Sequence, residues 1–313
     1  MCIRDRSASN QVSEQNKGQQ ETKGSEEKET AKVRVITDHM GRQVEVPEHP
    51  EKVVALNPLM TETLFALGIN PIAVPEEYKK FHPETKDLTS TSLQQTPNIE
   101  IIHQLKPDLI FAHTRNHGQM LDSLEETGAA VVFFNPGEGE NPDPLMEVVR
   151  FFGKALNREK EAAEYEKRID NLSEGLRQKT ASCPVKSVLV LKYGEGILVA
   201  QPGTFYGGII TRLGLENIIP NDLPGSSKEG FLQFDMETIT KKDPDLIFIF
   251  VEGQGQLDSG DIMAKYKNDP MWKGLSAVKN NRLVILPRKI GPGRISTEEA
   301  LQMVSNLICK EKQ

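Results

Sequence analysis

The sequence predicts an α/β protein of two similar lobes with mainly parallel sheets, joined by a helical connector. Three observations carry that prediction. One stretch is written twice: Asn98-Ile-Glu-Ile-Ile-His-Gln-Leu-Lys-Pro-Asp-Leu-Ile-Phe111 and Asp235-Met-Glu-Thr-Ile-Thr-Lys-Lys-Asp-Pro-Asp-Leu-Ile-Phe248 share a constant offset of 137 and an identical PDLIF. Short apolar runs alternate with helical patterns in the same order on either side of each copy, as parallel strands with crossover helices require. Between the two blocks lies a long run with apolar residues at helical spacing.

Residues 1–32 open the chain. Over 7–32 there is one valine and no aromatic, leucine or isoleucine, so little apolar surface offsets the chain entropy; a disordered tether is expected. The opening MCIRDR lacks the basic stretch, apolar core and small-residue cleavage site of a secretory signal. It reads as a lost or scrambled start. Cys2, followed by Ile-Arg-Asp-Arg, is a poor candidate for a lipid-modified cysteine.

The first lobe is assigned to 33–142. Val53–Leu56 reads as a strand, followed by a helix ending in Leu67-Gly68. Asn98 is an N-cap with Glu100 in the first turn, where the helix dipole favours an anion. Pro107 ends that helix, and Leu109–Ala112 and Ala130–Phe134 read as buried strands. The connector, 143–180, opens with the cap pair Asp143-Pro144. Leu145, Val148, Val149, Phe152, Ala155 and Leu156 keep helical spacing. The run restarts at Asn157 and continues through Ala162, Tyr165, Ile169, Leu172 and Leu176. The second lobe, 181–313, repeats the order: Val188–Leu191, a helix ending in Leu213-Gly214, the Asp235 cap with Glu237, then Leu246–Phe250 and Arg282–Leu286.

Open parallel sheets bind ligands beyond the carboxyl ends of their strands, so the site is expected between the lobes. The loops to inspect are 57–61, 91–97, 112–119, 192–206, 225–231 and 287–295. No stretch approaches the ~18 apolar residues of a bilayer helix. The net charge of −7 has the wrong sign for a nucleic-acid backbone. There is no GxSxG, no phosphate-binding GxxxxGK[ST], and no GxGxxG between strand and helix, so no catalytic reading is made. The Gly-rich stretches 193–196 and 135–139 read as turns. Cys2, Cys183 and Cys309 are odd in number, far apart and without a CxxC. They predict neither a disulfide framework nor a zinc site. All six histidines lie between 39 and 117. His113 and His117, four apart, are read as exposed loop residues rather than a metal pair, and no metal site is expected.

Positive charge does gather at the strand ends. Arg115 follows the first PDLIF strand, Lys192 and Tyr193 the first strand of the second lobe, and Arg288, Lys289 and Arg294 its last. In an acidic chain, that points to an anionic ligand held by charge-assisted bonds. Glu100 and Glu237 occupy equivalent helix starts. They either stabilise helix dipoles or form two acidic pegs for a two-fold symmetric partner with basic sockets.

Taken in order, ITDHMGRQVEVP (36–47), EKVVALNPLMTETLFALGI (51–69), IEIIHQLKPDLIF (99–111) and MWKGLSAVKNNRLVILP (271–287) resemble the substrate-binding proteins of bacterial iron-siderophore, haem and cobalamin ABC importers. The resemblance covers about residues 33–309. It implies two Rossmann-like lobes bridged by a long α-helix, no enzymatic activity, no cofactor, and a ferric chelate as ligand. It also implies docking of Glu100 and Glu237 onto arginines of a dimeric permease. The expected location is extracytoplasmic, as a lipoprotein on the outer face of the membrane or in the periplasm, with membrane contact only through a lipid anchor.

The haem relatives' axial methionine falls at Gln95 and their axial histidine near Val251-Glu252-Gly253, both against that mode; Met60, His113 and Tyr193 stay open as coordinating groups. The expected ligand set is therefore Arg115, Tyr193, Tyr206, Arg288, Lys289 and Arg294, suited to an anionic ferric siderophore. A haem or cobalamin carrier is the alternative, and a two-lobed nucleotide-sugar enzyme a remote one.

Overall fold

The computed structural model describes residues 32–135, 143–221, 223, 230–252 and 258–310. The expected tether, apart from Lys32, lies outside them, as does most of the Gly-rich 135–139 stretch. From Lys32 onward the chain packs as one unit.

The chain opens with a hairpin, β1 (Val33–Thr37) and β2 (Gln43–Pro47). The first lobe continues with β3 (Val53–Ala55), α1 (Pro58–Ala66), β4 (Ala73–Val74), α2 (Glu76–Lys79), β5 (Thr89–Ser90), β6 (Ser92–Leu93), β7 (Thr96–Pro97), α3 (Ile99–Leu105), β8 (Leu109–His113), α4 (Thr114–His117), α5 (Leu121–Glu125) and β9 (Ala130–Phe134). Two helices follow, α6 (Pro144–Leu156) and α7 (Glu159–Ala181). The second lobe holds β10 (Ser187–Lys192), β11 (Leu198–Val199), α8 (Phe205–Arg212), β12 (Glu216–Asn217), β13 (Leu232–Gln233), α9 (Met236–Lys242), β14 (Leu246–Phe250), α10 (Ser259–Asn268), α11 (Ser276–Lys279), β15 (Leu283–Ile285) and α12 (Thr297–Ile308).

The first sheet runs β5-β4-β3-β8-β9, every pair parallel. In the second, β12, β10, β14 and β15 pair in parallel, while β11 and β13 add antiparallel strands on one flank. The repeat therefore survives in three dimensions. In each lobe the first strand pairs with the PDLIF strand, and that strand with the last. The duplication reaches individual atoms: Asp108 Oδ2 accepts from the Glu51 amide at 2.7 Å, and Asp245 Oδ2 from the Lys186 amide at 2.8 Å. Each PDLIF aspartate thus ties down the start of the neighbouring strand. Asn98 and Asp235 cap α3 and α9 through Ile101 N and Thr238 N. Both helices end one residue before proline, at Lys106 and Asp243, each left-handed with φ of 49° and 45°.

Period-two alternation sends each strand's residues into different layers. Val53, Leu109, Phe111, Val188, Val190, Leu246 and Phe248 enter one core shared by both lobes and α6. Val54, Ile110 and Ala112 enter a separate outer core of the first lobe, and Leu189, Ile247 and Ile249 one of the second. The connector stripe is buried as the spacing predicted from Leu145 to Ile169, with Leu172 and Leu176 half-buried beyond it and Phe152 stacked on Phe111 at 3.9 Å. The run breaks where it restarts in the sequence: Asn157 is left-handed (φ 56°), so α7 turns back against α6. Gly153 makes that close approach possible, because a Cβ there would lie 2.6 Å from Ala162 Cβ. Arg212 of α8 bonds Asp143 and Asp170, fastening the second lobe to the starts of α6 and mid-α7.

One cysteine reading is corrected. Cys183 and Cys309 form a disulfide across 126 residues. No spacing pattern announced it, because the pair meets only where the end of α7 packs beside the end of α12. Among the described residues no helix is long and apolar enough to cross a membrane.

Candidate functional site: a cationic, aromatic cleft

A cavity of about 840 Å³ opens at the carboxyl ends of the strands, between the two lobes. Asn57, just past β3, caps α1 and bonds Gln94. Gln94 in the β6–β7 turn is anchored by its amide to Glu77 Oε2 at 3.0 Å. Arg115 follows β8, Lys192 ends β10, Thr204 to Tyr206 begin α8, Phe250 ends β14 with Glu252 just past it, and Arg288 and Arg294 follow β15. All six loops expected at the cleft reach it through residues such as Pro58, Gln94, Arg115, Lys192, Phe231 and Arg294; positions 225–229 lie outside the described residues.

Of the residues expected to hold ligand, Arg115, Tyr206, Arg288 and Arg294 line the cavity. Tyr193 and Lys289 do not. Tyr193 turns to the outer core, its ring 6.5 Å from Tyr266 and beneath Lys265 Nζ at 4.8 Å. Lys289 is exposed and is not among the residues that line the cavity. The cleft also holds Lys80, Phe81 and Glu77, which sequence reasoning missed because α2 is one turn long and carries no periodic signal. Glu252, read only as a position for an axial ligand, lines the cleft and ion-pairs with Lys192.

Five cations from both lobes (Lys80, Arg115, Lys192, Arg288 and Arg294) thus face two carboxylates, Glu77 and Glu252. The second lobe supplies an aromatic wall. Phe231 and Phe250 stack at 5.5 Å and 13°, and Tyr206 leans on both. The Arg294 guanidinium lies 5.1 Å from the Phe81 ring centroid of the first lobe and 5.8 Å from that of Phe250. Burial pushes the Tyr206 phenol well above its ordinary pKa, against the pull of Arg294.

The histidine reading is corrected too. His117 is fully buried, accepting from the His113 amide at Nδ1 and donating from Nε2 to the Gln94 carbonyl. Both ring nitrogens are used, so it bolts the Arg115 loop to the Gln94 loop. His113 caps α4 by accepting from Arg115 N, and burial with the neighbouring Arg115 lowers its pKa to about 4. Met60 is wholly buried in the core, away from the cleft. Among the described residues no group of three or more His, Cys, Asp or Glu could hold a metal ion. Glu100 and Glu237 are both exposed at their helix starts.

Two α/β lobes with mainly parallel sheets and a cleft at facing strand ends are the architecture expected of a two-lobed solute-binding protein. The sequence agrees: the periplasmic binding protein family model matches residues 53–290, and the chain belongs to that family. It is 26% identical to the putative ABC transporter substrate-binding lipoprotein YhfQ of Bacillus subtilis, covering 87% of this chain and 86% of that protein. It is 27% identical to the Fe(3+)-citrate-binding protein YfmC of the same organism, covering 84% and 81%. The solved structure of Staphylococcus aureus SirA complexed with staphyloferrin B superposes with a TM-score of 0.67 at 22% identity, over 88% of this chain and 97% of that one.

Proposed function

We propose that this protein is the solute-binding component of an ABC importer, capturing an anionic ferric siderophore in the cleft and delivering it to the permease. The observation that carries this reading is the convergence of Arg115 and Lys80 from one lobe with Lys192, Arg288 and Arg294 from the other. Charge-assisted bonds from so many donors suit a multiply charged chelate. The names of the relatives, which include an iron-citrate binder and a siderophore-binding lipoprotein, point the same way. Glu100 and Glu237 are the docking pegs, one per lobe at equivalent helix starts, for basic sockets on a two-fold permease. The disulfide supports an extracytoplasmic home, since such bonds persist in oxidising compartments.

A binding titration of ferric catecholate, ferric citrate, ferric hydroxamate, haem, cobalamin and free divalent metals tests the reading. Saturable binding of an anionic ferric chelate, weakened in Arg115→Ala or Arg288→Ala, is the expected result. Binding of haem or cobalamin alone overturns the ligand but keeps the importer. Ferric-chelate uptake lost in Glu100→Ala/Glu237→Ala, with binding retained, is the expected docking result; retained uptake overturns the docking role.

A further inference from the structure

The cleft carries two features that anionic charge alone does not explain. One wall is built from rings. Phe205, Tyr206, Phe231 and Phe250 form a continuous aromatic surface, with Phe205 edge-on to Tyr206 at 5.5 Å and Phe81 facing from the other lobe. Cations are interleaved with the rings, Lys192 Nζ 5.8 Å from the Phe231 centroid and the Arg294 guanidinium 5.8 Å from that of Phe250, a surface suited to aryl groups that carry anionic oxygens. The second feature is the donor set. Among the described residues none that lines the cleft is histidine, methionine or cysteine. Glu252 is engaged by Lys192 and Glu77 by the Gln94 amide, and the Tyr206 hydroxyl donates to the Ile290 carbonyl at 3.4 Å.

From these we infer, building on the ferric-chelate reading above, that the ligand carries aryl coordinating arms of the catecholate type and arrives with its iron fully coordinated. The protein then touches the chelate only from outside: arginine and lysine reach the phenolate oxygens, and the rings of the wall stack on the aryl arms. Ferric citrate satisfies the cations but leaves the wall without a partner. A neutral, aliphatic trihydroxamate leaves the cations desolvated without compensation. A porphyrin fits the wall, yet among the described residues the lining holds no soft or imidazole axial donor. At about 840 Å³ the cavity is large, toward the upper end of the roughly 300–1,000 Å³ of pockets that enclose a ligand of this class.

The test is equilibrium dialysis of the iron-free full chain against ferric tris-catecholate formed from excess dihydroxybenzoate, ferric citrate, ferrioxamine and haemin. The tris-catecholate should bind roughly tenfold tighter than citrate or ferrioxamine, the factor that good ring stacking supplies. Its gallium analogue should bind equally, as an outer-sphere mode requires. Phe205→Leu and Phe231→Leu keep apolar bulk while removing a ring face. Each should cut the catecholate-to-citrate selectivity several-fold with the same thermal unfolding midpoint. Tighter binding of citrate or ferrioxamine, or an unchanged selectivity in both variants, overturns the aryl inference while leaving the importer reading intact. Tightest binding of haemin overturns both the aryl arms and the outer-sphere mode. Retention of none of the four overturns the ferric-chelate reading itself.

Discussion

Gly293, in the last loop of the second lobe, lies directly against the Pro58 peptide at the start of α1 in the first. A Cβ on Gly293 would fall 2.1 Å from the Pro58 carbonyl carbon and 2.4 Å from Leu59 N. Gly293 also has φ of +67°, and its carbonyl oxygen lies 3.2 Å from His82 Nε2, which donates to it. The next residue is Arg294, so this contact holds a cleft cation in place.

Gly293→Ala should therefore destabilise the fold by about 2 kcal/mol or more, through left-handed strain and overpacking against backbone. Gly175 is the matched control. It lies in α7 with nothing within 4 Å of a Cβ, so Gly175→Ala should stabilise by about 0.5–1 kcal/mol. Urea unfolding of the two variants should give midpoint shifts of opposite sign.

Arg212 is 7% exposed and donates to Asp143 Oδ2 at 3.0 Å and Asp170 Oδ1 at 2.9 Å. Removing it breaks the tie from α8 to α6 and α7, while Asp143 still caps α6 through the Leu145 amide, and Arg212→Ala should lose about 1.5–3 kcal/mol. Arg212→Met fills the space without a charge and should lose less than the alanine variant. Chemical denaturation of the pair reads the order directly.

The disulfide closes a loop of 126 residues. In the chain-entropy picture Cys183→Ser/Cys309→Ser loses about 5 kcal/mol. Thiol titration in denaturant should find one reactive cysteine, Cys2, before reduction and three after it. Three before reduction would refute the bond.

Burial lowers the pKa of both His113, to about 4, and His117. The sign follows from proton counting: below about 6.5 the unfolded histidines take up protons that the folded ones refuse. Their contribution is thus fully present above the unfolded value and is lost as pH falls from about 6.5 toward 4. Stability measured across that window should fall less steeply in His113→Asn/His117→Gln than in the parent chain. An identical slope would refute the assignment.

Much of this architecture was legible because it rests on local rules. The caps at Asn98 and Asp235, the prolines ending α3 and α9, and the apolar PDLIF strands each follow from a few adjacent residues. The repeat then supplied the lobes. Where readings failed, the cause was non-local. Cys183 and Cys309 pair because two helices end side by side. His117 is buried because the Gln94 loop covers it. Tyr193 leaves the cleft because Tyr266 and Lys265 offer its ring a better surface. Arg115, Arg288 and Arg294 were legible as strand-end cations, whereas Lys80 and Phe81 sit beyond a helix too short to leave a pattern.

Phe152 stacks on Phe111, and its helix α6 shares one core with strands of both lobes. A hinge needs a seam of weak packing, and here the seam is filled. Swinging the lobes apart would bring that apolar interior into water, at about 25 cal/mol for every Å² exposed. The spacing between Arg115 and Arg294 is therefore a gauge set by the interior. A solute is sized by residues it never meets, and a substitution deep in α6 can alter what the cleft accepts while leaving every side chain of its lining unchanged.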